Sequence, residues 1–164
     1  MELLIQIATV IGVVGVIVLA GHVLDYRVLK KYYFNSGRWD LNISCGSTNG
    51  GGLNVDIIPR AVPNFVLVKN IYKLPFKYKQ FENTVCSHTI EHVEDPDKFF
   101  NELRRVSKNV TLLVPPMWDL AAFGWVLEHK WQFLTLTTKH INELPPKIKL
   151  PYGFVHKAVG QRVK

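Results

Sequence analysis

The chain has two cysteines, two methionines and, before Arg27, no lysine or arginine. Two cysteines, Cys45 and Cys86, cannot build a disulfide framework, and free buried thiols in a reducing compartment are the default for such a pair. Internal repeats and low-complexity segments are absent, which excludes a repeat architecture. Charge is missing from residues 3–24, a run of 22 in which only Gln6, Thr9 and His22 are clearly polar. A helix needs about 20 apolar residues to cross the hydrocarbon of a bilayer. The run lacks the polar face of a core helix, and Glu2 stands where a cleaved signal peptide carries basic residues. A retained single-span anchor over residues 1–26 is therefore expected.

What is present begins just past that run. Arg27, Lys30 and Lys31 flank its C-terminal side, and cationic residues resist translocation. The asymmetry predicts a single-pass membrane protein with its C-terminal domain cytoplasmic. Tyr26, Tyr32 and Tyr33 suit the interfacial belt, and Ala8 with Gly12 offers a small-xxx-small contact to another membrane-protein subunit. The net charge is +7 for the 164-residue chain, and +9 for residues 27–164. A basic domain held beside an anionic leaflet is attracted to it, so the lipid bilayer is the first expected partner. The basic residues are dispersed and no aromatic-basic motif accompanies them, so no nucleic-acid partner is expected.

Residues 27–38 read as a basic and aromatic connector, broken at Asn35-Ser36-Gly37. Beyond it, strand-like stretches fall at 39–45, 53–57, 65–69, 81–87 and 110–114. One helix is well marked at 96–107. Asp95 is its N-cap, Pro96 fills the first position, and Phe99, Phe100, Leu103 and Val106 form one face. Strands interleaved with helical pattern predict an α/β domain with a mainly parallel sheet. Residues 118–127 read as an apolar helix that packs over that sheet or lies on the bilayer or a partner subunit, and 151–163 as one or two irregular strands.

Residues 41–116 carry the chemistry. The first strand runs into Ser44-Cys45-Gly46-Ser47-Thr48-Asn49-Gly50-Gly51-Gly52, and the second ends Asn54-Val55-Asp56-Ile57. Small residues let backbone approach a ligand, and a carboxylate one strand over can accept both hydroxyls of a ribose. Asp56 follows Gly46 by only ten residues, against about 20 in a full dinucleotide-type unit. The first crossover helix is therefore missing or reduced to a turn. Leu74-Pro75-Phe76, Ser87-His88-Thr89-Ile90-Glu91-His92-Val93 and Leu103-Arg104-Arg105-Val106 follow in order.

This order resembles the class I S-adenosylmethionine-dependent methyltransferases, in their small type 11-like branch, over roughly half the chain. Some small members share the missing first helix. The resemblance implies a Rossmann-like methyltransferase domain over 39–164 with S-adenosylmethionine as cofactor. It assigns the cofactor to Asn42, Ser44, Cys45 and Gly46 of the loop, to Asp56 and Ile57, to Asn70 and Ile71, and to Ser87. Asn70 stands where the family has an Asp holding the adenine amino group, and its amide oxygen can still accept. His88 falls beside the sulfonium and the acceptor, where it could position or deprotonate an acceptor hydroxyl; in-line transfer asks for placement more than for a strong base. Together with the anchor, this implies a membrane-proximal methyl acceptor. Ser44 and Thr48 replace family glycines, and Ser107-Lys108-Asn109 replaces the usual Pro-Gly-Gly turn. The alternative is thus a non-catalytic methyltransferase-like subunit or scaffold of a membrane complex. His88-Thr89-Ile90-Glu91-His92 also matches the H-x-x-E-H zinc pattern of inverted metalloproteases. That pattern needs a continuous helix and a third ligand, whereas strand precedes it and Asp95-Pro96 follows. No metal is assigned.

Overall fold

The computed structural model describes residues 1–123 and 129–151. Five strands, β1 (Trp39–Ile43), β2 (Gly51–Asp56), β3 (Phe65–Leu67), β4 (Phe81–Ser87) and β5 (Ser107–Leu113), run parallel. After β6 (Trp131–Phe133) comes β7 (Lys139–Ile141), which joins the sheet antiparallel to β5 and completes the order β3-β2-β1-β4-β5-β7. A separate antiparallel pair is made by β6 and β8 (Lys147–Lys149). This is a Rossmann-like fold with a mostly parallel sheet, and β1 lies between β2 and β4 as expected. Ile43 is in register with Val55 on one side and Cys86 on the other, and Cys45 lies two residues past the end of β1. No helix separates β1 from β2; the connection turns through Thr48 N–H to Cys45 O, 2.9 Å.

The strands stay together because β1 and β4 are buried on both faces. Leu41, Ile43, Val55, Cys86, Val110 and Leu112 pack against Phe99, Leu103 and Val106 of the helix that crosses from β4 to β5. In chain order this helix is α3 (Pro96–Val106), after two N-terminal segments described below. The Asp95 carboxylate accepts from Lys98 N–H at 2.9 Å, the cap expected from the sequence. β5 begins at Ser107, directly after α3, so the strand starts three residues earlier than its apolar pattern suggests. The polar side of α3 holds the Leu74-Pro75-Phe76 turn. Glu102 Oε1 accepts from Leu74 N–H at 2.6 Å. Arg105, itself paired with Glu102 at 2.7 Å, donates to Leu74 O at 3.0 Å and Phe76 O at 2.9 Å.

The segment expected as a connector is helical. α1 (Glu2–Val23) continues through a wide π-helical turn (Leu24–Leu29) into α2 (Lys30–Ser36). No proline or glycine interrupts residues 24–36, and the far end is fastened by packing. Phe34 and Tyr33 cover Val85, Leu113 and Trp39 on the sheet face opposite α3, and Trp39 Nε1–H donates to Phe34 O at 2.8 Å. The break falls at Gly37, where a Cβ would collide with the folded-back Trp39 ring. Higher up, the Asp25 carboxylate is buried and accepts from Thr138 Oγ1–H at 2.6 Å. His22 Nδ1 lies 3.0 Å from Asp119 Oδ2. No residue of α1 is buried.

Of the stretch expected as a helix at 118–127, the described part is α4 (Leu120–Phe123). Trp125 and Leu127 lie outside the described residues, as do the strands expected in 151–163 beyond Pro151.

Replacing Glu102 with Ala should leave Leu74 N–H without its acceptor and Arg105 without its carboxylate partner. At about 1–3 kcal/mol for a buried group left unsatisfied, thermal unfolding followed by circular dichroism should show a midpoint several degrees lower. An unchanged midpoint would mean that the turn is not held from α3.

Candidate active site

The chain proceeds from β1 outward through β2 and β3, then returns to β4 on the other side of β1. Ligands of open α/β sheets bind outside the carboxyl ends of the strands at such a reversal. Two residues there have left-handed backbone although neither is glycine: Ser44, φ 54°, after β1, and His88, φ 48°, after β4. Each carries strain of order 1–3 kcal/mol, of the kind that collects at functional sites. Gly46 follows with φ 53°, and open space lies where its Cβ would stand.

Two adjoining cavities occupy this edge. The larger, of volume ≈ 460 Å³, is walled by Asn42 and residues 44–48 of the β1 loop, by Ser87, His88 and Thr89 after β4, and by Tyr26, Lys30, Lys31, Phe34 and Asn35 of the N-terminal helix. The smaller, ≈ 170 Å³, reaches Asp56, Ile57, Ile58, Arg60, Ile71 and His92. Ser44, Gly46, His88 and Thr89 line both, so His88 stands at their junction.

Nine of the ten residues expected from the sequence therefore meet here: Asn42, Ser44, Cys45, Gly46, Asp56, Ile57, Ile71, Ser87 and His88. Asn70 lines neither cavity; it is exposed, and its Oδ1 accepts from Tyr72 N–H at 2.8 Å to close a turn. Asn42 is partly occupied as well. Its amide donates to Thr48 O at 2.8 Å and to Asn54 Oδ1 at 2.9 Å, fixing the glycine-rich loop. Asp56 accepts from Gly46 N–H at 3.0 Å, Ile58 N–H at 3.1 Å and Arg60 Nε–H at 3.3 Å. Burial, with the Asp56 carboxylate nearby, pushes the Cys45 thiol up, and burial pushes Cys86 up further. Neither is a reactive thiolate.

The sequence reading missed the N-terminal wall. Tyr26 read as the interfacial end of the anchor and Lys30, Lys31 and Phe34 as connector, and the one hint was Asp25, a carboxylate beside an apolar run. In the fold its Oδ2 sits 4.0 Å from His88 Nε2. Asp25 Oδ2, His88 Nε2 and Ser87 Oγ are buried without a hydrogen-bond partner among the described residues. Buried polar atoms left unpaired are uncommon and mark sites that await a ligand or water. Burial, followed by the nearby Lys30 charge, holds His88 well below the ordinary imidazole value, so its ring is neutral. The Glu91 carboxyl is pushed up, chiefly by burial. Residues 88–92 form a turn rather than a helix, so His88 and His92 share no helix face and the inverted-protease geometry is absent.

Residues 52–114 match the family model described as a methyltransferase domain. No curated protein matches the chain. Among solved structures, a protein designated PH0226 from Pyrococcus horikoshii is similar at 21% identity, over 56% of this chain and 56% of that one, with a TM-score of 0.42. A SAM-dependent methyltransferase from Aquifex aeolicus is similar at 16% identity over 56% and 66%, TM-score 0.41. A putative methyltransferase from Haloferax volcanii, solved in complex with the Trm112 methyltransferase activator, is similar at 14% identity over 65% and 61%, TM-score 0.48. The chain spans little more than half the length of the first of these. The matched segment spans 63 of the 164 residues and holds most of β2 together with β3, β4, α3 and β5.

Proposed function

We propose that the chain is a membrane-anchored S-adenosylmethionine-dependent methyltransferase acting on an acceptor at the membrane surface. One observation carries this reading: Tyr26, Lys30, Lys31 and Phe34, which wall the larger cavity, belong to the same continuous helix as the apolar run. That helix, Glu2–Ser36, has a window of mean hydropathy 2.7 with none of it buried. Apolar surface of that extent calls for an apolar surrounding. At about 1.5 Å per residue the helix outreaches a hydrocarbon core of about 30 Å, so its last turns extend beyond the bilayer to the domain. Arg27, Lys30 and Lys31 favour a cytoplasmic position for that domain.

The residues present fit the cofactor. Left-handed backbone at Ser44 and Gly46 opens the loop to close approach. Asp56 would take the ribose hydroxyls in exchange for Arg60, and Ile57 and Ile71 would flank the adenine. Asn42, Cys45 and Ser87 would border the end nearer β4. The cofactor supplies an electrophilic methyl on sulfonium. The chain contributes placement: His88, reaching both cavities, would orient the acceptor heteroatom by accepting its hydrogen bond at the unpaired Nε2. Lipid-like molecules, quinone-type rings and side chains of membrane proteins all reach such a site, and tethering raises their effective concentration.

The three hydrogen bonds already made by Asp56, one of them to Arg60, favour a second reading. In it the chain is a non-catalytic subunit whose cofactor carboxylate has become structural. Titration of the detergent-solubilised protein with S-adenosylmethionine separates the two. Under the enzyme reading the native chain binds, and Asp56→Ala binds at least tenfold more weakly, since hydrogen bonds to a charged group contribute about 1.5–3 kcal/mol each. Absence of binding by the native chain would favour the subunit.

Deleting residues 1–20 leaves Asp25 and Tyr26 in place. The truncated protein should keep its cofactor affinity and lose most turnover of a membrane-borne acceptor. Equal turnover of a freely soluble acceptor by both forms would contradict a membrane-surface substrate.

A further inference from the structure

Outside the β1–β4 cavity wall, the molecule holds a second cluster of metal-ligating side chains. Glu91 and His92 come from the turn between β4 and α3, and His129 from the segment leading into β6. Each offers one ligand atom, and the three atoms lie within 4.8 Å of one another. Glu91 is 1% exposed, and neither carboxylate oxygen has a hydrogen-bond partner among the described residues. His92 Nε2 stands 3.8 Å from Glu91 Oε1, and the His92 and His129 rings meet edge to face at 4.8 Å between centroids.

The backbone beneath this cluster is locked. Glu91 O accepts from both Lys130 N–H at 2.9 Å and Trp131 N–H at 3.0 Å. Trp131 Nε1–H donates to Val93 O at 3.0 Å, and Lys130 Nζ pairs with Glu94 at 2.8 Å. Two chain segments nearly forty positions apart are thereby held so that their imidazoles converge on a buried carboxylate. Sequestering a carboxylate from water without hydrogen bonds costs several kcal/mol, and coordination of a cation is one of the few ways to offset it.

We propose that Glu91, His92 and His129 form a divalent transition-metal site of the zinc type. Two imidazoles and one carboxylate are a three-ligand set that leaves a coordination position open. Metal–ligand bonds of about 2.0–2.2 Å place tetrahedral ligands about 3.3 Å apart, so the separations observed close by side-chain adjustment alone. His92 also lines the smaller cavity, which gives the metal an entry path and its open position access to a water or ligand atom. The site borders the smaller cavity through His92, and Glu91 Oε1 lies 3.7 Å from His88 Nδ1, but none of its three ligands is given a role in the methyltransferase reading; it differs from the H-x-x-E-H pattern in using His129 in place of His88.

The test uses the full chain in detergent, without a histidine tag and stripped of metal by chelator. Co²⁺ titration should produce the visible ligand-field absorption of a four-coordinate site at one equivalent, and stoichiometric Zn²⁺ should abolish it. Zn²⁺ should also raise the thermal unfolding midpoint of the native chain. Glu91→Gln and His129→Ala should each weaken the Co²⁺ response at least tenfold and lose the Zn²⁺-dependent shift. His140→Ala, which alters a buried histidine elsewhere, should retain both. A folded native chain without ligand-field bands, or variants that titrate like it, would overturn the site and leave Glu91 a buried carboxylic acid.

Discussion

A parallel sheet has two apolar faces, and between β1 and β5 this chain supplies one crossover helix. α3 covers one face. The other is closed by the end of the N-terminal helix, where Phe34 and Tyr33 lie with Trp39 over Val85 and Leu113. Burying a large apolar side chain contributes about 1.5–3 kcal/mol, so this small cluster is enough to decide where the helix goes. Its position settles much else. Because the helix must reach the sheet, Asp25 is drawn under Thr138, His22 meets Asp119, and Tyr26 and Lys30 become one wall of the larger cavity. Lys30 Nζ sits over the Tyr26 ring at 4.0 Å, which holds both side chains at that wall.

The electrostatics of the site divide along the same line. On the Asp56 side the carboxylate is satisfied, accepting from two backbone N–H groups and from Arg60. On the helix side the buried polar atoms of Asp25, Ser87 and His88 face one another without hydrogen bonds. A satisfied network stiffens its surroundings, and an unsatisfied one is costly unless something binds. The glycine-rich loop is thus preorganised, and the wall on the helix side has polar groups in reserve. Left-handed Ser44 and His88 sit at the border between the two, each next to the end of a central strand.

Much of the site was legible because its signals are short-range. Asp95-Pro96 announces the start of α3, and the strand-like stretches at 39–45 and 81–87 announce β1 and β4. The ten-residue step from Gly46 to Asp56 leaves no room for a helix, and none is there. Asp56, Ile71 and His88 fell into place because strand ends project toward a common edge once the sheet order is known. Asn70 did not: the same amide that could reach an adenine also closes its own turn on Tyr72, a local competition that spacing cannot resolve. The connector was misread because basic and aromatic residues without helical periodicity look like linker until a surface exists for Phe34 to pack on.

By itself the sequence determined the apolar run, the strands and the capped helix, and the residues at each strand end. Each of these follows from composition, periodicity or turn chemistry within a few neighbouring residues. Tertiary structure alone decided which segments roof the cavity and which side chains lose their water. Asp25 is buried because Thr138 is there, 113 positions away, and Glu91 meets His129 only because two backbone bonds cross between turn and strand. Such encounters leave no period or motif in the chain, since the free energy that selects them comes from packing the sheet faces and appears only when both partners are in place.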